Sequence, residues 1–246
     1  MKGFVTALQF LTIIRVSKYH EMTEEQLGRS MAWFPFIGLV IGLILAGVRS
    51  LLILIFPPSL ADVLVIVTLV VLAGALHLDG FADTIDGLAG GKDRERILAI
   101  MRDSRIGSFA VTGLALLLLL KVTALMGVPD EVKNRTLIIM PVLGRWSTVL
   151  LASFFSYARS GQGTAQTFIR FAGKGESLIS TLVTALIVIA LFSVQGVVIV
   201  LVAASFTLLF GLYFKRRIGG VTGDIMGASC ELNEMLCLLG ICGFFT

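Results

Sequence analysis

The chain has 246 residues, of which 57% are hydrophobic and only 15% charged, with a formal net charge of +4. Soluble domains carry about 25% charged residues, so an ordinary soluble domain is excluded, and so is a disordered chain. Three cysteines without a CxxC spacing and two histidines, His20 and His77, cannot build a zinc site of their own. What remains is an integral membrane protein.

The first apolar stretch, Phe4 to Val16, is short and carries Gln9 and Arg15. No small-x-small cleavage site follows it, so it reads as an interfacial helix rather than a signal peptide. Crossing roughly 30 Å of hydrocarbon takes about 20 apolar residues. Seven stretches are candidates: 31–56, 62–78, 107–128, 136–155, 177–194, 195–214 and 225–245. The second and fifth are short, and Val194-Gln195-Gly196 marks the break between the fifth and sixth. Lipid leaves no water to satisfy an open backbone, which dictates helices, and the alternation of a membrane barrel is absent. The fold predicted is all-α and polytopic, with about seven transmembrane helices and a short N-terminal interfacial helix, as a single domain over 1–246.

Fifteen of the 20 Lys and Arg residues fall in the 1–30 arm and the segments 79–106, 156–176 and 215–224, all on one side of a seven-span chain. Only Lys133 and Arg135 fall on the other. The positive-inside rule therefore puts the N-terminus, the arm and the 79–106 and 156–176 loops in the cytoplasm, with the C-terminus outside. The net charge is a topology signal, and no nucleic-acid partner is expected. Arg49, Lys121 and Arg145 lie within spans, where Arg49 and Lys121 are expected to snorkel. Gly38 and Gly42 form a small-xxx-small pair suited to a helix contact. Repeats with matching broken helices are not evident, which disfavours a transporter.

Chemistry concentrates where the second span ends, in His77-Leu78-Asp79-Gly80-Phe81-Ala82-Asp83-Thr84-Ile85-Asp86-Gly87. At 100° per residue Asp79, Asp83 and Asp86 share an arc of about 60° on a helix. Three carboxylates on one face repel each other unless a cation sits among them, and hard oxygen ligands suit Mg²⁺, which also binds substrate phosphates. A solvated helix end carrying acids by chance fits less well beside apolar sequence. Downstream, Arg102 and Arg105 can grip phosphate oxygens from one helix face, or form an ordinary positive flank. Gly90-Gly91-Lys92 is not a P-loop, because neither the earlier glycine nor the following Ser or Thr is present.

A second constellation opens the last span: Gly219-Gly220-Val221-Thr222-Gly223-Asp224, then Glu231 and Glu234. Its glycines permit close backbone approach to an anionic ligand at a helix start. Acids as deep as Glu231 and Glu234 face a wet cavity or a cation, and Arg145 lies at similar depth. Either a structural Arg–Glu pair or a polar cavity open to the cytoplasm accounts for them. His77 is a candidate to orient a carboxylate or act as a base.

The His77–Gly87 motif, together with Met101-Arg102-Asp103-Ser104-Arg105-Ile106-Gly107, resembles the signature of the cobalamin synthase family of membrane-bound adenosylcobinamide-GDP ribazoletransferases. Phe34-Pro35-Phe36-Ile37-Gly38-Leu39, Gly219–Asp224, Glu231-Leu232-Asn233-Glu234 and Arg145 fit the same pattern in the same order, from about Phe10 to Met235. The chain departs from the pattern after Thr12, where the usual proline is missing, and at Gln162, where leucine is usual. The resemblance implies that adenosylcobinamide-GDP reacts with α-ribazole or its 5′-phosphate, releasing GMP, with Mg²⁺ required, in a bacterial or archaeal plasma (inner) membrane. It implies Mg²⁺ on Asp79, Asp83 and Asp86, a GMP leaving group met by Arg102 and Arg105 with Asp103 orienting one of them, and Asp86 or Asp224 as proton acceptor. His77, Arg145, Gly219, Gly220, Gly223, Glu231 and Glu234 complete the expected substrate contacts. Membrane lipid is an expected partner, and a homo-oligomer or other corrinoid-pathway enzymes are open ones. The competing readings are a lipid enzyme like the CDP-alcohol phosphotransferases, whose usual Ala-Arg soon after the first Asp-Gly is missing here, where Asp79-Gly80 is followed by Phe81-Ala82-Asp83, and a cation transporter using Glu231 and Glu234.

Overall fold

The structure, a computed structural model, describes residues 2–16, 23–160 and 163–245. Lys18, His20 and Gln162 lie outside the described residues. Eleven α-helices carry the described chain: α1 Lys2–Leu11, α2 Glu24–Arg29, α3 Phe34–Leu52, α4 Pro58–Leu72, α5 Leu76–Gly90, α6 Arg94–Ile100, α7 Ser108–Gly127, α8 Asp130–Phe154, α9 Thr164–Phe171, α10 Lys174–Ile218 and α11 Gly223–Phe245. The protein is an all-α polytopic membrane protein. Five of these helices are long and apolar enough to cross a membrane. Two elements depart from simple straight spans, one by a bend between two helices and one by a fold-back inside a helix.

The bend separates α4 from α5, whose axes differ by 89°. The apolar run expected over 62–78 is therefore not one straight span. The backbone explains why: Gly74 and Ala75 adopt φ of 59° and 56°, which no right-handed helix continues. The Gly74 amide donates to the Val71 carbonyl (3.0 Å) and the Ala75 amide to that of Val70 (3.1 Å), a Schellman closure with glycine at the left-handed position. The Ile13 amide, at the end of the N-terminal arm, satisfies the Leu72 carbonyl at 2.9 Å. Most of the segment expected as a 79–106 loop is consequently helical, in α5 and α6.

The fold-back lies inside α10. Ser193 has φ 49° and ψ −125°, and a Cβ on Gly196 would sit 2.6 Å from the Val188 carbonyl oxygen. Residues eight apart on a straight helix are about 12 Å apart along the axis, so the chain reverses here. The two arms of α10 coincide with the apolar stretches expected as the fifth and sixth, with the reversal close to the expected break at 194–196.

Helices α8 and α11 form the centre. Most of α8 and α11 is buried, whereas most of α7 and α10 is not; the latter offer their apolar faces to lipid. Gly38 and Gly42 make the α3–α8 contact: Cβ atoms there would lie 2.5 Å from the carbonyl oxygens of Pro141 and Ile138.

The intramembrane cations do not snorkel. Arg49 is buried against Asp62 (3.0 Å) and reaches Asp130 (2.5 Å), while Lys133 bonds Asp62 at 2.8 Å. Lys121 is buried against Glu231 (2.5 Å) and Glu234 (2.6 Å). A buried acid within reach offers a long cationic side chain a better partner than a distant interface.

Candidate active site

The site forms where α5 crosses α11. Gly80 and Gly227 let the backbones touch: a Cβ on Gly80 would meet the Asp224 carbonyl oxygen at 2.8 Å, and one on Gly227 would meet that of His77 at 3.2 Å. This crossing brings the two acidic motifs together. Asp79 and Asp224 line one cavity of about 220 Å³, together with His77, Gly80, Gly223 and Gly227 and with Phe10, Phe34 and Phe168. Asp83 lies within electrostatic reach of Asp79, Asp86 and Asp224.

The four aspartates are not equivalent. Asp86 accepts the amides of Gly107 (2.6 Å) and Ala110 (2.8 Å) on its two oxygens, so it closes the N-terminus of α7. Asp224 accepts from the Arg159 guanidinium at 2.6 Å and from the Thr222 hydroxyl at 3.3 Å. The side chains of Asp79 and Asp83 have no hydrogen-bond or ion-pair partner among the described residues. No three His, Cys, Asp or Glu among those residues converge as a ready-made metal cage. Magnesium does not require one, since it is usually held by one or two carboxylates together with substrate phosphates and water. The hard, unpartnered oxygens of Asp79 and Asp83 fit that mode of binding.

Arg159 has no place in the motifs read from the sequence as chemical, yet it ties the site together. Besides Asp224 it donates to the Met101 carbonyl at 3.3 Å, anchoring the Arg102–Arg105 segment beside the acids. Its position follows from a parallel bridge between Tyr157 and Val221, with the Val221 amide on Ser156 and the Ala158 amide on Val221, both 2.9 Å. A Cβ on Gly220 would fall 2.2 Å from the Ser156 carbonyl oxygen. Gly219 and Gly220 thus serve the approach of the chain's own 156–158 segment, with Gly219 at φ 86° ending α10. Of the three glycines expected to contact substrate, the structure brings only Gly223 to the cavity. Substituting Gly220→Ala should part the bridge and move Arg159. The expected result is a stability loss of ~1–3 kcal/mol, the cost of overpacking, read as a lowered thermal midpoint.

Arg102 and Arg105 are exposed in the loop before α7. Asp103 receives the Arg105 side chain at 3.0 Å and 2.6 Å and its amide at 3.1 Å. The Arg105 hydrogen bonds hold the Asp103 carboxyl down at about 2, and the same contact raises Arg105 above its usual value. Arg105 is therefore held against Asp103, and neither it nor Arg102 lines the cavity that holds Asp79 and Asp224.

Deeper in the protein, Glu234 takes hydrogen bonds from both Arg145 and Lys121, and Lys121 also bonds Glu231. Two cations and two acids form a closed, buried and electrically balanced set. The structure does not bring Arg145, Glu231 or Glu234 to the cavity that holds Asp79 and Asp224. His77 stands between the two regions, lining that cavity and a small void shared with Lys121, Arg145 and Glu231.

The family model for cobalamin-5-phosphate synthase matches residues 3–242. An adenosylcobinamide-GDP ribazoletransferase of Geotalea daltonii is 43% identical over 239 residues, covering 97% of this chain and 96% of that protein. Proteins of the same name from Clostridium acetobutylicum and Prosthecochloris aestuarii are 35% and 37% identical, each covering 95% of its own length and 98% and 96% of this chain. No solved structure matches. With the match running almost end to end, and both acidic motifs meeting at one helix crossing, the chain belongs to the cobalamin-5-phosphate synthase family.

Proposed function

We infer that the protein is an adenosylcobinamide-GDP ribazoletransferase acting where α5 crosses α11. The observation that carries this reading is the pair of unpartnered carboxylates, Asp79 and Asp83, beside Asp224 at a cavity mouth in a chain of this family. The acceptor is α-ribazole or its 5′-phosphate. A ribose hydroxyl oxygen bonds to the phosphorus of the cobinamide phosphate, the diphosphate P–O bond breaks, and GMP leaves with its oxygen. Asp224, fixed by Arg159 and Thr222, is placed to take the hydroxyl proton. Arg102 and Arg105 meet the departing phosphate. Asp79 and Asp83 would hold Mg²⁺ with the donor's phosphates, and the ion would supply charge neutralisation for the diphosphate. Asp86 keeps α7, and hence the arginine loop, in register with that site.

The transporter alternative loses its main feature, because Glu231 and Glu234 are neutralised within the protein. The basic end of the bundle, with Lys215, Arg216 and Arg217 closing α10, faces the cytoplasm of a bacterial or archaeal cell on this reading, by the positive-inside rule.

The test is GMP release and corrinoid product from purified protein in liposomes, given adenosylcobinamide-GDP, α-ribazole and Mg²⁺. Turnover that EDTA abolishes and Mg²⁺ restores is expected. Folded protein that releases no GMP would overturn the assignment.

A further inference from the structure

The cavity has two chemically different walls. One carries Asp79, Asp224 and His77; the other is aromatic, built by Phe10 of α1, Phe34 of α3 and Phe168 of α9. These rings form one cluster, with centroids 4.9 Å apart for Phe10–Phe168, 5.5 Å for Phe34–Phe168 and 6.1 Å for Phe10–Phe34. Three separate elements, α1 of the N-terminal arm, α3 and α9, converge to make it. Neither Lys nor Arg lines the cavity among the described residues.

We propose that this cavity is the acceptor subsite, taking the planar aromatic base of the nucleoside against Phe10, Phe34 and Phe168 and presenting its ribose to Asp79 and Asp224. The assignment rests on the transferase reading and adds to it which substrate lies where. Size favours the base: pockets for drug-sized ligands run to roughly 300–1,000 Å³, so 220 Å³ is too small for a corrinoid macrocycle and suits a fused bicyclic ring. Charge agrees, since the lining has no Lys or Arg to grip a diphosphate directly. The aromatic wall supplies ring faces and edges, the partners every nucleobase can use.

His77 supplies an independent observation. It is buried at the cavity's edge, and its Nδ1 has no hydrogen-bond partner among the described residues. A buried polar atom of this kind normally finds one, and a ring nitrogen of the base provides it. The donor's diphosphate is then left to the outer side of α5. There Asp83 and Asp86 follow Asp79 over about 10 Å of helix toward the arginine loop. The two substrates meet at Asp79 and Asp224.

The test uses the full-length protein in lipid nanodiscs with the substitutions Phe168→Leu and Phe10→Leu, each checked for an unchanged thermal midpoint. Calorimetry measures binding of α-ribazole alone, and steady-state kinetics varies donor and acceptor separately. Loss of one ring should raise Kd and KM for α-ribazole about tenfold, leaving KM for adenosylcobinamide-GDP within about twofold of its starting value. A donor KM that rises while α-ribazole binding is unchanged in both variants would overturn the subsite. So would wild-type protein that turns over but shows no ring-dependent binding of α-ribazole. Ring-dependent binding of α-ribazole without any GMP release would support the subsite while refuting the transferase reading, so the two failures are separable.

Discussion

Replacing Asp83 with asparagine is expected to abolish turnover while leaving the helices in place. The Asp83 side chain has no hydrogen-bond or ion-pair partner to lose among the described residues, and the α5–α11 contact depends on the neighbouring Gly80 and Gly227. Removing its charge relieves repulsion from Asp224 and Asp79, the two carboxylates that act on it most strongly. Stability should therefore hold or rise. Activity should fall by about a thousandfold or more, because the charge neutralisation a metal gives a phosphoryl centre is worth several kcal/mol. Asp86→Asn makes the informative comparison. Its two oxygens each accept one amide at the head of α7; asparagine keeps one acceptor and turns an NH2 toward the other amide, so a stability loss of about 1–3 kcal/mol is expected. GMP release measured against Mg²⁺ concentration, with thermal unfolding alongside, separates the roles. An Asp83→Asn protein within about tenfold of wild-type turnover would remove Asp83 from the metal site.

The second large effect concerns stability. Glu234→Ala removes the acid that faces both Arg145 and Lys121 and leaves two buried cations with only Glu231. Breaking a buried pair by deleting one partner costs about 3–5 kcal/mol, enough to unfold a marginally stable protein, and this range is expected here. Equilibrium unfolding in mixed micelles measures it. Charge balance makes a sharper test: Lys121→Met alone leaves an excess negative charge, whereas Lys121→Met with Glu231→Gln restores neutrality around Arg145 and Glu234. The double variant should be more stable than Lys121→Met by a measurable coupling energy. A Glu234→Ala loss under about 1 kcal/mol would mean that the buried set contributes little.

What the sequence revealed depended on whether the signal was local. The all-helical membrane class follows from seven apolar runs, and the row Asp79-Asp83-Asp86 follows from helical periodicity within eight residues. The reversal near Gly196 was likewise marked by a polar break in the apolar run. The 89° turn after Leu72 was not, because Gly74 lies inside an unbroken apolar stretch and only the Schellman hydrogen bonds show it. Lys121 and Arg49 read as snorkelling cations because their acids stand 110 and 13 residues away in the chain. Arg159 went unassigned for the same reason, as Asp224 is 65 residues distant. Its one sequence clue was Gly219-Gly220, whose small size admits the strand segment that delivers Arg159, and which read as a ligand-binding turn instead.

The balanced set around Glu234 also bears on how the protein is made. Helix α11 follows all other spans in the chain, yet it is a central packing element and carries both buried acids. A lone helix with two acids near its middle inserts poorly, since an acidic residue at the centre costs about 2.5–3.5 kcal/mol on insertion scales. Lys121 and Arg145, on helices translated earlier, would await it as docking charges. Membrane entry of α11 is thereby coupled to recognition of α7 and α8, and a nascent protein arrested before α11 would display two uncompensated cations to lipid, a mark by which membrane quality control could distinguish it from the finished enzyme.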